Sequence, residues 1–465
     1  MADTTKLQDT NNQFSLASEN QEKRHLKVND INYRNNIESN YTEIIEELDN
    51  NYDYATNKDY YWSEPELSLL YGTPFYEAAS PSQKLALNHL YWTSQYDHIA
   101  ASEGSTILYN QVTAGVFAAV GGYTALCQEL DLETKQERSH IHAFQKICYK
   151  TKVALLGKSM LGNFPTKTSG LTDKSLSQQL IPEQIRKFFS FDWTSSPFSN
   201  YDAFRFVTQT MLKEQSGSYS LYLKHLEQEG EFVPAPTKGY FGVALPRPLL
   251  QFFTFNWGSS AFLACQHYAY RFSGNMGLKN YEYSYSKYFK ELERKGEFIP
   301  IPTAVSHYHL LDESFHTTTS QLISRDMYKD FAEPTVYEKF VANRIMSMMQ
   351  RGFLNELSAG LPATFRRDAF FMPLYYKLFR SPIFNMSKEE ALNWMEKCLC
   401  QEHEGFHVNR KYYERLHRDL CRFTESLDYL WPVNREMRIM GFGGSIRGAI
   451  QNNVKEFNRF RKSVN

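Results

Sequence analysis

Two Glu-x-x-His units, each preceded by a further glutamate, constrain the fold of this chain more than any other feature of its sequence. In the units Glu137–His140 and Glu313–His316, a carboxylate and an imidazole stand three residues apart, which places them on one face of a helix. Thirty-three residues separate Glu103 from the first unit, and thirty separate Glu282 from the second. This spacing fits two antiparallel helix pairs, so the sequence predicts a helical bundle with a metal site in its core.

Apolar neighbours indicate that the first helix pair buries its acids. Glu103 lies in a stripe with Tyr96 and Ile99, where an exposed helix face would not be expected. The periodicity predicts one helix from Pro81 to a break at Gly121–Gly122 and a second helix that runs to about residue 156.

The second pair contains HYHLLDESFH, residues 307–316, which crowds five ionisable side chains onto one predicted helix. Because burial of an unpaired charge is costly, such groups are exposed, paired with each other or bound to a cation. His309 stands one turn before Glu313. Asp312 and His307 are interpreted as outer hydrogen-bond partners or surface residues.

Composition limits the class of protein. The 465 residues are 42% hydrophobic and 22% charged, as in soluble globular proteins, and the net charge of -1 argues against nucleic-acid binding. Six cysteines without a CxxC pair and a polar N-terminal start predict a cytoplasmic protein. The uncharged stretch 248–270 is predicted to be a buried core helix, and no membrane span is expected.

The chain divides into three predicted regions. Residues 1–60 are polar and are predicted to be a disordered or loosely attached arm. Residues 61–333 hold the metal site, with an insertion around 160–250, and residues 334–465 are a helical C-terminal extension. Residues 219–237 and 285–303 repeat each other at twelve of nineteen positions, and only the second copy adjoins the ionisable cluster.

The order of these acids and histidines resembles that of the ferritin-like dimetal-carboxylate oxygenases of the p-aminobenzoate N-oxygenase type. The extra histidine one turn before Glu313 distinguishes that family from other dimetal-carboxylate proteins, and the enlarged chain is similar to its dimetal-carboxylate halogenase branch. The resemblance implies an all-α fold with a ferritin-like four-helix bundle core, a helical insertion and the C-terminal extension. The metal ligands that it implies are Glu103, Glu137, His140, Glu282, His309, Glu313 and His316.

The resemblance also implies a function. The enzyme would activate O2 at two metal ions, with iron/iron favoured and manganese/iron as the alternative, and would chlorinate an unactivated C–H position of a fatty acyl substrate. Chloride, an external reductant and an electron donor would be required. An acyl carrier protein could present the substrate to the basic run 435–462, and a homodimer is left open. Glu282 is the ligand expected to be displaced, since chloride needs an open position at a metal.

Other readings remain at this point. A di-iron hydroxylase or N-oxygenase would share the fold, and a ferritin-like protein could bind metal without catalysis. HEGFH at 403–407 matches the HExxH pattern of zinc metalloproteases, with His403 and His407 as zinc ligands and Glu404 as the base.

Overall fold

A computed structural model describes residues 23–39, 41–158, 208, 210–212, 218–229, 247–353, 357–363 and 366–464. Within these ranges every regular element is a helix, so the predicted all-α class is confirmed. The helices are α1 (Arg24–Ser39), α2 (Tyr41–Asn51), α3 (Tyr54–Asn57), α4 (Pro74–Ala78), α5 (Pro81–Val120), α6 (Thr124–Leu156), α7 (Leu221–Gln228), α8 (Arg247–Ser259), α9 (Ala261–Lys295), α10 (Ile301–Arg325), α11 (Val336–Phe353), α12 (Met372–Arg380), α13 (Lys388–Leu399), α14 (Glu404–Glu425), α15 (Pro432–Arg435), α16 (Arg438–Gly443) and α17 (Ile446–Val464). Short 3-10 helices cover Pro65–Leu67, Met327–Asp330 and Asp368–Phe370.

The first long hairpin, α5 and α6, forms where the sequence predicts it. Ser80 and Gln83 make a reciprocal capping box at the start of α5, which satisfies backbone N–H groups that have no partner within the helix. Gly121 and Gly122 reverse the chain with φ angles of 82° and 84°, a conformation that glycine adopts without strain. The short connection makes α5 and α6 antiparallel neighbours.

The second hairpin is α9 and α10. Helix α9 ends at Gly296, which adopts the left-handed conformation with φ 66°, and α10 begins after Pro300. Helix α5 packs against α6 and α9, and α10 packs against the same two helices. This arrangement is consistent with the four-helix core that the sequence predicts.

The N-terminal segment contradicts the prediction of a disordered or loosely attached arm. Helices α1 and α2 both pack against α6 and α10. The buried face of α1 consists of Asn29, Asn32 and Asn36, and α2 buries Ile45. The prediction is wrong for residues 24–39 and 41–57, because buried asparagines hold α1 by hydrogen bonds to α6 and α10, and a search for apolar residues does not detect them.

The uncharged stretch 248–270 is not one helix, and its residues from 251 onward are buried or partly buried. It is divided between α8 and α9 at Ser260, whose hydroxyl accepts a hydrogen bond from the backbone N–H of Leu263 and so caps α9. None of the described helices is both long and apolar enough to cross a membrane.

The predicted insertion lies mostly outside the described residues. Of the first repeat copy, the structure describes α7, whereas the second copy forms the end of α9 and the start of α10. Beyond residue 334 the described chain is mostly helical, and α11 and α14 pack against α9, whereas the N-terminal helices pack against α6 and α10. The two sets of added helices therefore contact different helices of the core.

Candidate metal centre

All seven predicted ligands lie in the interior of the four-helix core. Helix α5 contributes one of them, α6 two, α9 one and α10 three. Glu103 is 6% exposed and Glu313 is 4% exposed, and the other five are at most 1% exposed. Long helices place these side chains here because the acids and histidines occupy the inward face at helical spacing.

Six of the seven form two groups that share one member. Ligand atoms of Glu103, His140, His309 and Glu313 all lie within 4.8 Å of one another. A second group consists of Glu137, Glu313 and His316, and its ligand atoms meet the same limit. Each group is compact enough for one cation, and Glu313 belongs to both.

Several buried atoms in this cluster have no hydrogen-bond partner among the described residues. They are Glu103 Oε2, Glu137 Oε2, Glu282 Oε2 and His140 Nδ1. An unsatisfied buried polar atom destabilises a folded protein by about 1–3 kcal/mol, and more when it is charged. One cation coordinated by Glu103 Oε2 and His140 Nδ1, and a second coordinated by Glu137 Oε2, would remove that cost for these three atoms, so the donor set fits metal ions. Carboxylate and imidazole donors together suit iron or manganese.

The charges in the cluster are strongly coupled. Burial, together with the neighbouring Glu137, raises the pKa of Glu103 to about 7. Burial alone would lower the pKa of His140, but hydrogen bonds to Asp312 and Glu137 outweigh it and raise that pKa to about 9. In the absence of metal, protons on the imidazoles thus offset the carboxylate charges, and metal ions would take over that role.

Outer hydrogen bonds fix which nitrogen of His140 and of His316 faces the cluster. His140 Nε2 lies 3.0 Å from Asp312 Oδ2, and a carboxylate only accepts, so Nε2 donates and Nδ1 is left for a metal. His316 Nε2 lies 2.8 Å from Gln136 Oε1, which leaves Nδ1 directed at the acids of its own group. Such outer partners set the tautomer and orientation of metal-binding histidines.

His309 also makes one outer hydrogen bond, but through Nδ1, and its acceptor is a glutamate. Its Nδ1 donates to Glu282 Oε1 at 2.6 Å, and its Nε2 lies 3.0 Å from Glu103 Oε1. Tyr96 also donates its hydroxyl to Glu282 Oε1, at 2.7 Å. Glu282 belongs to neither compact group, and in this structure it holds His309 from outside.

The N-terminal helices complete this outer layer. Thr42 on α2 donates to Asp312 Oδ2 at 2.8 Å. On α1, Asn36 exchanges hydrogen bonds with Gln136, and Gln136 also donates to Asp312 Oδ1 at 3.2 Å. The sequence left Asp312 as an outer hydrogen-bond partner or a surface residue; it is fully buried and bonds to His140. The sequence gave no role to the helices that support it. His307, in contrast, bonds to Ser286 and lies outside both compact groups.

We expect Asp312→Asn to weaken metal binding by roughly 10- to 100-fold, the range found for outer partners of metal ligands. Asparagine has the shape of aspartate, but its NH2 group cannot accept a hydrogen bond. At least one of the three donors that Asp312 now satisfies would therefore lose its acceptor. Metal dissociation constants measured by chelator competition would show this. Asp330→Asn is the matched control, because Asp330 also accepts from a histidine and a hydroxyl but lies outside the cluster. Equal affinities in both variants would contradict the prediction.

A second buried charge network was not predicted from the sequence. Arg271 on α9 pairs with Glu133 at 2.7 Å and with Glu137 at 3.3 Å, and all three side chains are at most 6% exposed. Glu129, one turn before Glu133, is also fully buried and accepts from Asn32 at 3.1 Å. The signal was present: residues 129, 133 and 137 are glutamates at intervals of four, which share one helix face.

The HEGFH motif does not form a metal site. His403 precedes α14 as its N-cap residue, and its Nε2 bonds to the carbonyl of Cys398. His407 is exposed and pairs with Glu402. The two histidines do not share a helix face, so the structure does not support a zinc protease. The compact ligand groups found among the described residues also contain no residue of this motif.

Comparison with known proteins identifies a family. The family described as "Acyl halogenase CylC-like" has a sequence model that matches residues 24–461. No curated protein and no solved structure matches the chain. Since the match covers nearly the whole sequence, the chain belongs to the CylC-like acyl halogenase family.

Proposed function

We propose that this member of an acyl halogenase family is an O2-activating dimetal enzyme that chlorinates an unactivated carbon of a fatty acyl chain. The observation that carries the proposal is the pair of buried ligand groups joined at Glu313. Family membership supports halogenation of an acyl substrate. The donor types support a redox metal pair, either iron/iron or manganese/iron.

The ligands divide between two metals in this proposal. Glu103, His140 and His309 would hold one ion, Glu137 and His316 would hold the other, and Glu313 could contribute to both. Two metal ions in these positions would supply the electrons and the Lewis acidity that O2 activation and C–H cleavage require. The protein residues keep the site dry, since every ligand is nearly or fully buried.

Glu282 has a separate role. It stays outside the coordination sphere and orients His309 through the Nδ1 hydrogen bond. With Glu282 outside, the described residues would leave room for a chloride ion beside the metal that His309 would hold. Halide transfer to a carbon radical needs such a position, because the atom that is transferred is the one nearest the radical.

Product analysis tests the function. Iron-loaded protein is incubated with a long-chain acyl substrate, O2 and a reductant, with and without chloride. We expect a chlorinated product, recognised by its chlorine isotope pattern in mass spectrometry, only when chloride is present. A hydroxylated or N-oxidised product alone at saturating chloride would contradict halogenation and would favour the hydroxylase or N-oxygenase alternative. Metal binding without any organic product would favour a non-catalytic metal binder.

An acyl carrier protein is the proposed substrate donor, and α17 is the proposed contact. Arg459 pairs with Glu456 and Arg461 with Glu396 of the same chain. The two arginines are therefore less available to bind a carrier protein than the sequence alone indicates. The exposed face of α17 also carries Arg447, Lys455 and Lys462, and the described residues offer them no ion-pair partner. These three charges would attract an acidic carrier protein.

We expect Arg447→Glu with Lys455→Glu to lower kcat/KM for a carrier-bound substrate by roughly tenfold or more at low salt, since electrostatic steering acts on association. Added salt should reduce the difference between the variant and the unmodified protein. Turnover of a small free acyl substrate should not change. Lys135→Glu, a reversal at an equally exposed lysine on α6, is the control. An unchanged kcat/KM at low salt would remove the docking proposal.

A further inference from the structure

Stacked aromatic side chains connect the metal centre with the surface of the N-terminal helices. We propose that Tyr96, Trp92, Trp62 and Tyr54, here called the aromatic column, carry single electrons from a surface donor to the buried centre. The inference rests on the proposed function, because an O2-activating centre is the electron acceptor. Every ligand of that centre is buried, so a donor protein cannot touch it directly.

The inner end of the column contacts the ligand cluster. The hydroxyl of Tyr96 donates to Glu282 Oε1 at 2.7 Å, and the same oxygen accepts from His309 Nδ1. The rings of Tyr96 and His309 lie 6.2 Å apart, centroid to centroid. One oxygen of Glu282 thus links Tyr96 to His309, a proposed metal ligand.

Each ring in the column is in contact with the next. The centroids of Tyr96 and Trp92 lie 4.2 Å apart in a stacked arrangement, and Trp92 meets Trp62 edge to face at 5.9 Å. Trp62 in turn lies 6.2 Å from Tyr54. Electron tunnelling slows steeply as the gap between donor and acceptor grows, so a path of touching rings is much faster than a single step through the same depth of protein.

Hydrogen bonds hold the two indoles in place. Trp92 Nε1 donates to Ser306 Oγ at 2.9 Å, and Trp62 Nε1 donates to the carbonyl of Asn57 at 3.1 Å. Tyr96, Trp92 and Trp62 are fully buried. Tryptophan and tyrosine are the side chains most readily oxidised by one electron without a metal, and burial protects their oxidised forms from side reactions with solvent.

The outer end has a built-in proton acceptor. His89 Nε2 lies 2.8 Å from the carbonyl of Tyr60, so Nε2 donates and Nδ1 is left to accept the hydroxyl of Tyr54 at 3.2 Å. Burial lowers the pKa of His89 to about 4, which keeps the ring neutral and able to accept. Tyr54 is only half-buried, so it can meet a donor at the surface.

In the proposed transfer, Tyr54 loses one electron, which passes through Trp62, Trp92 and Tyr96 and would lower the oxidation state of one metal ion by one. The hydroxyl proton of Tyr54 moves to His89 Nδ1, leaving a neutral tyrosyl radical. A one-electron reductant at the surface, such as an iron–sulfur protein or reduced methyl viologen, then returns the electron to Tyr54, and the proton moves back from His89.

The test detects the radical instead of the halogenated product. Iron-loaded full-length protein is mixed with O2 without substrate or reductant, freeze-quenched and examined by electron paramagnetic resonance, while O2 consumption is followed in parallel. We expect an organic radical whose spectrum narrows when the protein contains ring-deuterated tyrosine. Tyr54→Phe and Trp62→Phe should lose this signal, because phenylalanine is far harder to oxidise. Trp257→Phe, which changes a buried tryptophan outside the column, should retain it.

A second measurement uses reduced methyl viologen to reduce the oxidised centre, followed by absorbance. Trp62→Phe should slow this reduction although its metal content is unchanged, and Trp257→Phe should not. Consumption of O2 with an equal radical yield and an equal reduction rate in Trp62→Phe would overturn the inference and leave the proposed function standing. Failure of the unmodified iron-loaded protein to consume O2 would overturn both.

Discussion

Replacing Glu313 with glutamine is expected to remove metal from both positions and to reduce halogenation below detection. Glu313 is the one side chain that belongs to both compact ligand groups, so its loss takes a charged donor from each. Glutamine keeps the volume and removes the negative charge that offsets the metal. Metal content per chain, measured by elemental analysis after gel filtration, is the direct readout.

Two glutamates serve as controls for this change. Glu338→Gln alters a carboxylate that is equally buried but caps α11 and accepts from Thr335, so it should lower thermal stability and leave the metal content intact. Glu282→Gln should also retain both metals, because Glu282 belongs to neither compact group. Full metal content in Glu313→Gln would refute the proposed ligand sharing. Loss of metal in Glu282→Gln would place Glu282 among the ligands.

Replacing Arg271 with methionine is expected to lower the free energy of unfolding by about 3–5 kcal/mol, as found when one partner of a buried ion pair is removed. The substitution keeps much of the apolar volume but leaves Glu133 without its cation, in a position that is fully buried. Glu137, the second partner of Arg271, would also lose a contact. Urea unfolding of the metal-free protein, with m values compared, measures the loss.

A double variant separates charge from packing in the Arg271 prediction. Adding Glu133→Gln to Arg271→Met removes the uncompensated charge, so the double variant should recover part of the lost stability. Lys135→Met, at an exposed ion pair on the same helix as Glu133, should change stability by less than about 1 kcal/mol. A double variant that is less stable than Arg271→Met would show that packing, not charge, is responsible.

Sequence reasoning singled out the seven candidate ligands, which the structure places in one buried cluster, because their residue types are unexpected where they occur. Glu103 stands in an apolar stripe, and Glu313–His316 combines an acid and an imidazole at helical spacing beside His309. Helix ends were predictable for the same local reason, since Pro81 and Gly121 act through their own backbone preferences. Whether all seven residues bind metal stays a prediction.

Long-range contacts were not predictable in the same way. The pairing of Arg271 with Glu133 joins two helices that are far apart in sequence, and no local pattern around Arg271 indicates it. HEGFH, which the sequence left open as an alternative zinc site, is the opposite case, because a short motif specifies residue types but not where a helix begins. Helix α14 starts at Glu404, one residue after the first histidine of the motif.

The N-terminal helix shows how a polar sequence can still be an internal one. Its buried residues are asparagines, and Asn32 donates to the Glu129 carboxylate, the Phe315 carbonyl and the Thr319 hydroxyl at 3.1 Å each. Apolar side chains would have been recognised from their periodicity, whereas asparagine is ordinarily read as exposed. The structure reverses that reading because α6 and α10 present matching polar groups.

The hydrogen bonds of the buried asparagines affect the position of α1 along its axis. Contact between apolar side chains is non-directional and tolerates sliding, whereas a hydrogen bond requires both a distance and an angle. A shift of α1 along its axis by half a turn, about 2.7 Å, would separate Asn32 and Asn36 from Glu129 and Gln136 together. These hydrogen bonds therefore restrain the position of α1 along its axis, much as a buried asparagine sets the alignment of helices in a coiled coil. Replacing Asn32 with leucine would make α1 more apolar, but it would remove hydrogen bonds that fix the position of the helix.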